Sequence, residues 1–167
     1  MNNPILRFLA LFLLLIGACI AAERAWGHLI SPGLTHCYVL LSMVLVNLVT
    51  PHEAVTVHAA VLSSATTPII EVTRECDGMT SFILLAASLL ATPAPVLRTC
   101  LGLIASVLLV GACNLARIVA LFYAFKHIPQ YDEKIHIFLG PLVLMLPTLL
   151  FFLYWSRRKQ HGNIRVA

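Results

Sequence analysis

Charged side chains are scarce. They make up 11% of the 167 residues, against 60% hydrophobic ones, and the mean hydropathy is +0.93. A soluble domain is about one-quarter charged. The deficit excludes an ordinary water-soluble domain and makes lipid the solvent for much of the surface. Glycine-rich phosphate loops are absent, so the sequence gives a nucleotide or flavin no seat, and no cofactor is expected. C-x-x-C pairs are absent too. The cysteines Cys19, Cys37, Cys76, Cys100 and Cys113 therefore suggest neither a zinc ligand set nor a disulfide framework, and no metal is expected. A net charge of +4 could suggest nucleic acid. The distribution argues against it: Arg157, Arg158, Lys159 and Arg165 crowd the C-terminus beside an apolar run, the pattern of a cytoplasmic membrane flank.

What is present is a series of long apolar runs. A spanning helix needs roughly 20 mostly apolar residues. Five stretches come close, at about 5–22, 29–50, 78–97, 99–125 and 135–155. They predict an all-α membrane protein, a single integral domain over 1–167 with a bundle of about five transmembrane helices. The first stretch follows Arg7 and ends in Ala18-Cys19-Ile20-Ala21-Ala22, which resembles a signal peptide. Its apolar run is longer than a signal core, and retention as a span is the expectation.

The connections carry information. Thr92-Pro93-Ala94-Pro95 predicts a tight turn that makes the third and fourth spans antiparallel neighbours. Asp132, followed by Glu133, reads as the N-cap of the fifth. The one long connection holds two β-like runs, 54–61 and 69–73, around a Ser/Thr/Pro turn at 63–68. A small extramembrane hairpin between the second and third spans follows. Placing the basic tail in the cytoplasm puts the N-terminus and the 51–77 connection outside, and a 23–28 loop inside. The expected address is the cytoplasmic (inner) membrane.

Three residues suggest chemistry. Arg117 sits inside the fourth apolar run, where an arginine costs at least roughly 2.5–3.5 kcal/mol on insertion scales. It either snorkels to the interface or faces a wet interior. Asn114 lies one turn back on the same face. Cys76, in Arg74-Glu75-Cys76-Asp77-Gly78, is expected at a water-accessible edge, just before the third span. A nucleophilic cysteine acts as its thiolate, which a helix N-terminus or a cation favours. The flanking acids oppose that unless they point away. His136 falls near the start of the fifth span and suits proton transfer, with His127 its nearest rival. The antiparallel order places all three toward one face of the membrane. A thiol, a proton carrier and a fixed cation suit acyl transfer.

Glu75-Cys76-x-Gly78 opening one span, Asn114-x-x-Arg117-Ile118 in the next and His136-x-x-x-Gly140 opening the last resemble the exosortase/archaeosortase family. The likeness covers roughly 69–155, and the short length is most similar to the exosortase H type. It implies a membrane-embedded cysteine protease or transpeptidase with Cys76, Arg117 and His136 as its catalytic residues. Glu75, Asn114, Gly78 and Gly140 support them. It also implies the substrates: exported proteins with a C-terminal motif, one transmembrane helix and a basic tail. The acceptor is water or an unknown nucleophile, and the active site faces the external side. Asp77 departs from the pattern, where Ser or Ala is common.

Other readings compete. A small-solute transporter or channel subunit would use Arg117 as an intramembrane anion site, but gives no reason for Cys76 and His136. A metalloprotease built on His52, Glu53 and His58 has the wrong helical spacing, since its second histidine should follow four residues after the first. Cys113, one turn before Arg117, is a rival thiol set deeper in hydrocarbon.

Overall fold

The computed structural model describes residues 3–64, 70–73, 76–128 and 140–157. Helix α1 spans Pro4–Val49. A 3-10 turn at Pro51–Glu53 leads into strands β1 (Thr56–His58), β2 (Val61–Ser63) and β3 (Ile70–Glu71). Helices α2 (Met79–Ala91), α3 (Val96–His127) and α4 (Gly140–Arg157) follow. Among the described residues, α1, α3 and α4 are long and apolar enough to cross a membrane. At 13 residues, α2 is shorter, about 20 Å. The protein is thus a mainly helical membrane protein with a small sheet.

The expected first and second spans differ from this architecture: they form one unbroken helix of 46 residues. The supposed loop, Glu23-Arg24-Ala25-Trp26-Gly27-His28, holds good helix formers and only one weak position, so nothing in it stops the ladder. Pro32 lies inside the helix, where it removes one hydrogen bond without ending α1. The buried face of α1 explains the helix's close packing. Gly27, Ser31, Thr35, Val39, Ser42 and Val46 recur every three or four residues, a stripe of small side chains. On α3, Gly102, Ser106, Val110 and Asn114 repeat the pattern.

With α1 unbroken, the start of the chain lies at the same end as the close of α4, where the sequence alone predicts opposite faces. Asn3, Arg7 and Leu11 border a cleft with Leu90 and Pro93, and Phe8 stacks near Phe152. The start of α1 therefore shares an end with the α2–α3 turn and the close of α4, and Arg7 joins Arg98 and Arg157 there.

The helices meet differently at the two ends. Near the α2–α3 turn, Arg98 donates to the Trp155 carbonyl at 2.7 Å and lies 4.8 Å from the indole centroid. Gly102 leaves room for that ring, since a Cβ there would sit 2.9 Å from it. Leu85, Leu89, Val110 and Leu144 form the core of this bundle, with Cys113 packed against it. At the far end the sheet covers α1 and α3 through Val39, Val46, Leu62, Ile118 and Phe122.

The sheet is an antiparallel meander in the order β1-β2-β3. The expected hairpin exists in a different register. Its turn is Ala59-Ala60, inside the run 54–61, and Ala59 takes φ +57. The run 69–73 supplies a third strand. Residues 65–68 of the expected turn, and Ile69 at the start of the second run, lie outside the described set.

Candidate active site

Cys76 and Gly78 contact Asn114, and Gly140 contacts Arg117 one turn further along α3, where the bundle gives way to the sheet. Gly78 is the N-cap of α2 with φ +75, a conformation that glycine adopts without penalty. It also packs tightly, because a Cβ would lie 3.2 Å from Val110 and 3.4 Å from the Asn114 amide carbon. The turn before it brings the Cys76 N–H to the Thr73 carbonyl at 2.9 Å. Asn114 Nδ2 then donates to the Cys76 carbonyl at 2.7 Å, fixing the cysteine backbone to α3. The Thr73 hydroxyl lies 3.9 Å from Cys76 Sγ and donates toward it.

Arg117 is buried, 6% exposed, one turn beyond Asn114. Its guanidinium lies against Gly140, where a Cβ would sit 2.8 Å from Nε and from Nη2. Only glycine leaves that space. Among the described residues Nε has no hydrogen-bond partner, and no carboxylate pairs with the guanidinium. The snorkelling alternative is therefore corrected: the side chain turns inward. A cation held there is poised to stabilise an anion brought to it.

Cys76 is also buried, 4% exposed, and packs with the sheet core, where a water-accessible edge was expected. The sheet and the upper parts of α1 and α3 cover it. Asp77 turns away from the thiol. Its Oδ2 accepts from Ser31 Oγ at 2.8 Å and its Oδ1 from the Met79 N–H at 2.8 Å. The carboxylate is thus committed to α1 and to the first turn of α2, where a negative group complements the helix end.

His136 and Glu75 lie outside the described residues, as do Asp132 and Glu133. The sites that sequence reasoning missed are on α1 and in the sheet connection. Ser31, 46 positions before Asp77, is joined to it only by the fold. The periodic small residues on α1 were the available signal. Glu53 is fully buried, paired with Lys126 and bonded to Ser64 Oγ at 2.9 Å. That arrangement commits the carboxylate to holding the sheet on α3. No group of three His, Cys, Asp or Glu side chains among the described residues is placed to hold a metal ion.

Comparison with protein-family models gives no match, and comparison with curated proteins and with solved structures gives none either.

Proposed function

We propose that this chain is a membrane-embedded cysteine peptidase or transpeptidase of the exosortase type, acting on the C-terminal sorting signals of exported proteins. One observation carries the reading. Asn114 and Arg117, a turn apart on α3, reach the Cys76 carbonyl and Gly140 respectively, which supports a site shared by the residues before α2, those on α3 and those that open α4. A buried guanidinium whose Nε has no partner among the described residues, one turn from the Asn114 that holds the cysteine backbone, supports anion stabilisation at that spot.

In the proposed mechanism the Cys76 thiolate attacks the scissile carbonyl carbon. Arg117 stabilises the thiolate and the oxyanion that forms. The C–N bond then breaks, and His136 gives its proton to the leaving amine of the substrate's membrane helix. A thioester remains on Cys76. Water or an acceptor amine attacks it, His136 takes the nucleophile's proton, and the C–S bond breaks to restore the Cys76 thiolate and the protonated His136. With the basic end bearing Arg7, Arg98 and Arg157 in the cytoplasm, the site lies toward the external side of the inner membrane.

The test is co-expression with a tagged exported protein carrying a C-terminal motif, a transmembrane helix and a basic tail. Cys76→Ala and Arg117→Met are expected to abolish processing, with both proteins still in the membrane. Cleavage of the tagged protein at the normal rate by Cys76→Ala would end the proposal. The anion-site reading shares the Arg117 observation and makes the opposite forecast. Anion flux through vesicles holding the purified chain would then persist in Cys76→Ala and vanish in Arg117→Met.

A further inference from the structure

We infer that the groove between α1 and the sheet holds an extended peptide carrying a hydrogen-bond-donating side chain, and delivers it to Cys76. The inference rests on the cysteine-peptidase reading above.

The groove encloses about 660 Å³, with His28, Pro32 and His36 on one wall and Ala60, Glu71 and Thr73 on the other. That volume is in the range of ligand pockets, about 300–1,000 Å³. Three features select the occupant. Thr73 lies on the groove wall and points its hydroxyl to Cys76 Sγ at 3.9 Å, so an occupant of the groove lies one side chain away from the buried thiol. Pro32 has no N–H, so it cannot donate to the His28 carbonyl, and the helix wall presents a backbone acceptor. Glu71 is exposed on the strand wall, and no hydrogen bond or ion pair engages it among the described residues.

An extended chain answers these features. Its free N–H groups can satisfy the helix carbonyl, and a lysine, arginine or amide side chain can pair with Glu71. A membrane helix has already spent its N–H groups internally and would leave the helix carbonyl bare. His36 does not compete for the ligand, because its Nδ1 is 3.1 Å from the Ala59 carbonyl and helps hold the hairpin turn against α1.

The experiment uses the full-length protein in detergent micelles and two alkylating probes: randomised tetrapeptidyl chloromethyl ketones and iodoacetamide. Mass spectrometry reads alkylation at Cys76, with exposed Cys37 and Cys100 as internal references. Cys76 is expected to take the peptidyl probe faster than the references, with a preference for lysine, arginine or amide side chains. Ala60→Trp, which fills the groove, should slow the peptidyl probe about tenfold and change iodoacetamide labelling by less than about twofold. Glu71→Arg keeps the groove open and should move the preference to acidic side chains. Equal slowing of both probes by Ala60→Trp, together with an unchanged preference in Glu71→Arg, overturns the groove assignment. So does no slowing of the peptidyl probe by Ala60→Trp. A different result sinks the reading beneath it: wild-type Cys76 reacting with the peptidyl probe no faster than Cys37 and Cys100.

Discussion

At the α2–α3 turn the helices meet through glycine, an indole ring and one arginine; at the opposite end α1 and α3 are joined to a sheet by buried polar bonds. The bundle end uses Gly102 against Trp155 and Arg98 on the last turn of α4. The sheet end uses the Glu53 pair with Lys126, the Thr50 and Tyr123 hydroxyls 2.9 Å apart, and Asn47. The Asn47 amide donates to the Val55 carbonyl at 2.9 Å and accepts from its N–H at 2.8 Å, so it pairs with the chain as a strand neighbour would. Van der Waals packing is tolerant of a bilayer, where water is absent and apolar contact is not driven by solvent. Buried polar bonds are unforgiving, because a deserted partner keeps its full desolvation cost. The candidate site lies where these two kinds of construction meet.

The comparison can be broken most forcefully at Glu53. Glu53→Ala strands the largely buried ammonium of Lys126, and breaking a buried pair costs on the order of 3–5 kcal/mol. Hydrogen exchange should show 56–63 losing protection while α2 and α4 keep theirs. Equal loss in both regions would mean that the two ends are not separate in stability.

Next in size is Asn114→Leu, which leaves the Cys76 carbonyl buried without its donor. A loss of roughly 1–3 kcal/mol is expected. It should also reduce processing of the tagged substrate, because the cysteine turn loses its anchor. Thermal unfolding in detergent and the processing assay check the two effects separately.

Gly78→Ala puts a Cβ into the left-handed region and within 3.2 Å of Val110. The backbone term alone is about 1–2 kcal/mol. Gly140→Ala, by contrast, is expected to spare folding more than function, because the displaced atoms belong to the long side chain of Arg117. Unfolding temperatures and processing rates of the two variants should therefore rank oppositely.

Arg98→Met is the mildest change. It removes a contact with the Trp155 ring worth about 0.5–1 kcal/mol, plus a hydrogen bond to its carbonyl. The unfolding midpoint should fall slightly, with no change in exchange across the sheet.

Much of the helical content was legible in the sequence, and so were the residues whose contacts, Asn114 with Cys76 and Arg117 with Gly140, tie α3 to its neighbours. An arginine within an apolar run has few tolerable places, and the Pro93 and Pro95 turn forces α2 and α3 to be neighbours. The continuity of α1 was harder to read. A polar patch of Glu23, Arg24 and His28 looks the same at a membrane surface and in the middle of a long helix. The hairpin turn was hidden because Ala59-Ala60 lacks the Asn-Gly or Asp-Gly signal such turns usually carry. The burial of Cys76 was invisible for another reason. What covers it comes from α1 and from a sheet whose register is set at that same unsignalled turn.

The 46 residues of α1 also act as a keyed shaft. Ser31 engages Asp77, His36 engages Ala59 and Asn47 engages Val55, each at its own angular phase. Every residue advances the phase by about 100° and the height by about 1.5 Å. One residue inserted between His36 and Asn47 would leave Ser31 opposite Asp77 and swing Asn47 away from Val55 by more than a quarter-turn. Four inserted residues would nearly restore the angle and leave the tooth about 6 Å too high. The exposed face of this helix can therefore change in composition, while the spacing between its teeth cannot.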